Sequence, residues 1–159
     1  MIHNNNIYYF IEQFNKREIN KLDSKINIIY RNYNKKPNFK ELLEIKNLCI
    51  KTRRKFYIAN EIEIATKLNL AGVYIPSFNK SLKIKYINKK KIEILGSVHN
   101  FKELNFKMKQ GVNKIFLSPL FKIKKKNTFL NITKFNLFTQ NAKIDTIALG
   151  GINKKISIN

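Results

Sequence analysis

Lys67-Leu68-Asn69-Leu70-Ala71-Gly72-Val73-Tyr74-Ile75-Pro76 and the later Lys107-Met108-Lys109-Gln110-Gly111-Val112-Asn113-Lys114-Ile115-Phe116-Leu117-Ser118-Pro119 read alike: the tail of a helix, a glycine, a short apolar strand, a proline. Gly72 falls where a left-handed helix end is expected. A short apolar run without polar alternation, closed by a proline, fits a strand buried on both faces of a parallel sheet.

The alternation extends in both directions. Ile7 to Ile11 and Ile26 to Tyr30 are β-former runs separated by the helix-compatible Lys16 to Leu22, and the second ends at Arg31-Asn32-Tyr33-Asn34 and a loop with Pro37. From Asn38, the residues Phe39, Leu42, Leu43, Ile45, Leu48 and Cys49 recur at spacings of three and four, which predicts a helix with one apolar face and Cys49 in the core. Lys51, Arg53, Arg54 and Lys55 crowd its end, where the helix dipole favours positive charge. Further strands are predicted at Phe56 to Ala59, Ile92 to Leu95 and Thr146 to Leu149, with helices at Glu61 to Leu70, Phe101 to Gln110 and Asn131 to Ala142. All three prolines and Gly96, Gly150 and Gly151 are expected after strands, not within them. About seven βα units predict an α/β fold, a TIM-type (β/α) barrel, forming one domain over residues 1–159. Such barrels typically need about 250 residues, so 159 leave this one short of its last βα unit. An open barrel, a barrel completed by a second copy, and a truncated chain all fit that length.

Composition narrows the function classes. With 43% hydrophobic residues the chain can bury a sizeable core, and no apolar stretch approaches the roughly 18–20 residues of a membrane span. The single Cys49 excludes an internal disulfide, no zinc-ligand spacing occurs, and the leader Met1 to Asn6 lacks the pattern of a secretory signal. The cytoplasm is the expected compartment. Lys and Arg number 32 against 10 Asp and Glu, a net charge of +22, which points toward polyanions. Lys, Asn and Ile are abundant together, however, and their A/T-rich codons account for that charge equally well.

In a β/α barrel the ligand site lies at the C-terminal ends of the strands. The residues there are Arg31, Asn60-Glu61, Ser77, Asn79, Ser97, His99, Ser118 with Lys122 to Lys126, and Gly150-Gly151-Ile152-Asn153. Cations, amides and glycines with one carboxylate suit an anion such as phosphate. No carboxylate pair and no Ser-His-Asp arrangement is evident.

These residues carry a family resemblance. From Ile26 to Asn153 the chain resembles the thiamine phosphate synthase/TenI family. Ile28-Ile29-Tyr30-Arg31 is similar to the family strand ending in Arg, and Phe56 to Glu61 to its strand ending in Asn-Asp. Ala71 to Ile75 resembles its Gly-Val-His segment, and Ile94 to His99 its Gly-x-Ser-x-His strand end with one residue fewer. Gly111 to Lys126 resembles the Gly-Pro-x-Phe segment leading to a Lys, and Ile147 to Asn153 its Ala-x-Gly-Gly-Ile-Asn.

The resemblance implies an enzyme of thiamine biosynthesis, a transferase that joins a pyrimidine diphosphate to a thiazole phosphate with magnesium and releases pyrophosphate. By matching position, Arg31 and Lys126, or Lys125, would hold the diphosphate. Asn60 and Ser97 would contact pyrimidine or diphosphate, Ser118 would line the site, and Gly150 and Gly151 would receive the thiazole phosphate. Three departures stand out: Arg31-Asn32-Tyr33 replaces Arg-x-Lys, and Glu61 and Asn79 occupy the two magnesium-binding aspartate positions. His99 opens an alternative, because TenI-type thiazole tautomerases use a His at such a strand end as acid/base. A strand-end His bonded to a nearby backbone group is the plainer expectation. A non-catalytic phosphate-ligand-binding paralogue and a basic RNA-binding protein complete the alternatives; no RNA-binding motif is visible, and most aromatics fit core positions.

Overall fold

A computed structural model describes residues 7–87, 92–122 and 129–150. Strands and helices alternate through them: β1 (Ile7–Ile11), α1 (Lys16–Lys21), β2 (Ile26–Tyr30), α2 (Phe39–Lys51), β3 (Phe56–Ala59), α3 (Ile62–Lys67), β4 (Gly72–Ile75), β5 (Glu93–Val98), α4 (Phe101–Gln110), β6 (Lys114–Leu117), α5 (Asn131–Ala142) and β7 (Asp145–Ala148). Between β4 and β5 the chain makes a 3-10 turn at Leu82–Tyr86, a stretch whose apolar spacing predicts no element. Packing gathers the chain into two compact units, residues 1–74 with 88–93 and residues 75–87 with 94–159.

In the first unit β1, β2, β3 and β4 pair in that order, all parallel, with Ile7 opposite Ile26, Tyr30 opposite Ile58 and Ala59 opposite Tyr74. Every residue of β3 and β4 is buried, as a parallel sheet covered by helices requires. Asn15 and Asn38 cap α1 and α2 by accepting from Glu18 N and Lys40 N. On α2, Leu42, Ile45, Leu48 and Cys49 form the buried stripe, whereas Phe39 and Leu43 are exposed, so the apolar face is narrower than its spacing suggested. Burial pushes the Cys49 thiol up to about 11, leaving it protonated and unreactive in the folded protein.

Two expectations are corrected in this unit. Arg54 is not a surface cation on the α2 dipole. It is buried, and its guanidinium donates to the carbonyls of Ile19 (3.3 Å), Leu22 (2.7 Å), Ile26 (3.1 Å) and Asp23, tying down the end of α1 and the loop into β2. Gly72 is not a helix cap but the first residue of β4. The left-handed position after α3 belongs to Asn69, and a Cβ on Gly72 would lie 2.0 Å from the Glu93 carbonyl oxygen. Glycine is needed there for close approach of two backbones.

In the second unit β5, β6 and β7 pair in order, again parallel, with Ser97 opposite Phe116 and Leu117 opposite Ala148. Gly96 lies inside β5, not after a strand. A Cβ there would meet Val112 Cγ1 at 3.1 Å and Lys107 Cδ at 3.2 Å, so its absence makes room for a helix packed over the strand. Gly111 does end α4 in the left-handed conformation. Lys107 and Gln110, on the last turns of α4, are both 0% exposed. Burial pushes the Lys107 ammonium down to about 8, with Lys80 adding to the shift and Glu103 opposing it.

These contacts set three expectations. Arg54→Ala leaves several buried carbonyls without a donor and is expected to cost about 3 kcal/mol or more in urea unfolding. Gly72→Ala is expected to cost about 1–3 kcal/mol by the same assay, through displacement of β4 or Glu93. Between pH 8 and about 10.5 the unfolded chain holds the Lys107 proton and the folded chain has released it, so this residue's contribution to stability rises with pH. The stability of wild type relative to Lys107→Met should therefore increase by about 3 kcal/mol across that window and stay level below it.

Candidate phosphate-ligand site

The strand ends of the first unit carry a basic, amide-rich edge. Arg31 directly follows β2, and its N-H donates to Ile11 O at 2.8 Å, which keeps the ends of β1 and β2 level. Its guanidinium lies 4.4 Å over the Phe10 ring, and Phe10 packs edge-on against Tyr74 at 5.2 Å. Tyr74, at the family's His position, is thus buried wall behind Arg31. Asn32 shapes the following loop: its Oδ1 accepts from Asn34 N and Lys35 N, and its Nδ2 donates to Glu12 O.

That loop and the end of β3 enclose a cleft of about 300 Å³ lined by Tyr33, Lys35, Lys36, Asn60 and Glu61, among others. Asn60 adopts a left-handed φ of 65° and its N-H donates to Tyr74 O, which turns the chain abruptly into α3. Glu61 is the residue before α3 and makes no capping bond. Burial pushes the Tyr33 hydroxyl up to about 12, with Tyr74 adding and Arg31 opposing, so it remains a neutral O-H. Lys35 and Lys36 were not singled out in the sequence. Their signal lay in the Asn32 turn, which folds the loop back so that both line the cleft.

In the second unit Ser97 is buried within β5, while His99 and Ser118 directly follow β5 and β6. His99 is fixed twice. Its N-H donates to Glu103 Oε2 at 2.8 Å, while Asn100 Oδ1 accepts from Glu103 N, a reciprocal cap on α4. Its Nδ1 lies 2.5 Å from Ser118 O. A carbonyl only accepts, so Nδ1 carries the proton and Nε2 is left to exchange one. The backbone partner expected of a strand-end His is therefore present, and it also sets the tautomer. Gly150, two residues beyond β7, has a φ of 90° and accepts from Phe121 N, and a Cβ would lie 3.0 Å from Pro119 Cβ. Lys125, Lys126 and Gly151 lie outside the described residues.

The donors present do not fit a protein-held magnesium ion. Among the described residues no three of His, Cys, Asp and Glu converge. The Asn79 side-chain oxygen accepts from Ser81 N at 2.9 Å, stabilising its own turn, and it is a neutral amide where a hard cation favours carboxylate oxygen. Glu61 is a single carboxylate.

The family model described as thiamine monophosphate synthase, TMP-TENI, matches residues 17–157. The thiamine-phosphate synthases of Prochlorococcus marinus subsp. pastoris and of a second Prochlorococcus marinus strain are each 31% identical to the chain, over 79% and 72% of its length. Those alignments cover 36% and 34% of the two relatives, so the chain spans about a third of their length. A solved thiamine phosphate pyrophosphorylase from Pyrococcus furiosus superposes with a TM-score of 0.69 over 96% of this chain and 78% of that one, at 18% identity. At that identity the likeness is one of fold, and it bears out the TIM-type β/α class read from the sequence. The chain belongs to the thiamine monophosphate synthase (TMP-TENI) family.

Proposed function

We propose that the chain acts in thiamine biosynthesis as a thiamine phosphate synthase, joining a pyrimidine diphosphate to a thiazole phosphate. The observation that carries this reading is the placement of Arg31, Asn60, His99, Ser118 and Gly150 within two residues of the C-terminal ends of parallel strands. In the reaction the pyrimidine methylene carbon loses its bond to the diphosphate oxygen and gains one to the thiazole nitrogen. The nitrogen supplies the new electron pair, and pyrophosphate leaves with the old one.

Negative charge grows on the departing oxygen, so fixed cations lower the barrier. Arg31 is held ready by its stacking on Phe10, and Lys35 and Lys36 supply cations beside Asn60 where the family's second cation has become Tyr33. By the family resemblance alone, Lys125 or Lys126 would hold the diphosphate, Asn60 and Ser97 would contact the pyrimidine side, and Gly150 with Gly151 would receive the thiazole phosphate. With one carboxylate, Glu61, and the amide of Asn79, no step here is assigned to magnesium.

His99 favours a second reading. Its Nδ1 is committed to Ser118 O, so Nε2 can take a proton from one atom of a thiazole carboxylate phosphate and return it to another, as tautomerisation requires.

Incubating the protein with both phosphorylated substrates, with and without magnesium, is expected to yield thiamine phosphate. Arg31→Ala should lower kcat/KM by about 10–100-fold, the loss of a charge-assisted hydrogen bond. A folded wild-type protein that makes no product under either condition would overturn the synthase reading. Thiazole tautomerisation that is lost in His99→Ala would then establish the second.

A further inference from the structure

Lys107 and Gln110 are committed to one loop and to each other. The Lys107 Nζ donates to Pro76 O at 2.8 Å, Asn79 O at 3.0 Å and Gln110 Oε1 at 2.8 Å, using all three of its protons. The Gln110 Nε2 donates to Asn79 O at 3.1 Å and Ser81 O at 2.9 Å, using both of its own. Residues 76–81, the segment that leaves β4 and carries Asn79, are therefore held by four hydrogen bonds from a helix distant in sequence.

Within the loop, Asn79 N donates to Pro76 O and Ser81 N to Asn79 Oδ1, short-range bonds that shape its turns. Burying an ammonium is costly unless every proton finds an acceptor, and a hydrophobic side chain would fill the same volume without that cost. Gly96 in β5 leaves the space through which the Lys107 stem passes. A buried ammonium at this position, with Gly96 making room for its stem and Gln110 beside it, favours a single conformation of the loop that leaves β4.

We infer that Lys107 and Gln110 form a positioning pair that fixes the Pro76–Ser81 loop, and Asn79 with it, in the conformation that binds the phosphorylated ligand. The inference deepens the proposed function and rests on it. Neither residue touches the ligand. They act through the backbone of the loop, by removing alternatives whose population would dilute the binding-competent form.

The test uses the full chain, inorganic pyrophosphate as probe, and two measurements on wild type, Lys107→Met, Gln110→Ala and Gln110→Glu. Gln110→Glu retains an acceptor for Lys107 but loses both donors to the loop, so it separates grip on the loop from burial of the lysine. Hydrogen exchange of amides 77–83 is expected to accelerate about tenfold or more in each variant, with the β6 amides unchanged. The pyrophosphate Kd from calorimetry should rise about tenfold in parallel. If Lys107→Met does not fold, the Gln110 variants carry the test. Loop exchange equal to wild type overturns the inference, and so does a loosened loop with unchanged affinity. If wild-type protein binds no pyrophosphate, the phosphate-ligand reading fails, while loop exchange still decides whether the pair fixes the loop.

Discussion

Parallel pairing sends every strand end within a unit to the same edge, and the register of this chain keeps those ends level: Ile11 lies opposite Tyr30 in the first unit, and Leu117 opposite Ala148 in the second. Residues far apart in sequence then share an edge without any further device, as Arg31 and Asn60 do in one unit and His99 and Ser118 in the other. What remains for local chemistry is to hold each side chain still. Phe10 does so for Arg31, Glu103 and the Ser118 carbonyl for His99, and the Lys107 and Gln110 pair for the loop after β4.

Three cations end in different states. Arg54 and Lys107 are buried among backbone carbonyls, whereas Lys35 lines an open cleft. Burial of the first two is affordable because carbonyls converge on them, from the end of α1 in one case and the 76–81 loop in the other. A net charge of +22 therefore overstates the cations available to a ligand, since part of it is structural.

The strands and most helices were legible because their signals are local: apolar runs, helical spacing and glycine or proline punctuation. The helix predicted over Glu61 to Leu70 is limited to Ile62–Lys67, since the left-handed turn expected at Gly72 is taken by Asn69. Gly72 and Gly96 are glycines for reasons that lie elsewhere in the chain, in the Glu93 backbone and in the Lys107 and Val112 side chains. Such demands become visible only when the partners are in place. The candidate site was half legible. Strand-end logic points to Arg31, Asn60, His99, Ser118 and Gly150, which do follow strands, whereas Ser97, expected after a strand, lies within β5; Lys35 and Lys36 enter through the Asn32 turn, and the commitment of the Asn79 oxygen to Ser81 depends on geometry that spacing does not encode.

The central claim is that the strand ends, and not the diffuse positive surface, recognise phosphate. Backbone amide chemical shifts followed during titration with pyrophosphate at physiological salt test it most directly. The account predicts saturable shifts concentrated at Arg31, Asn60, Asn79, His99 and Gly150, with surface lysines such as Lys46 and Lys134 unmoved. Weak, non-saturating shifts spread across the exposed lysines, with no focus at those strand ends, would contradict it.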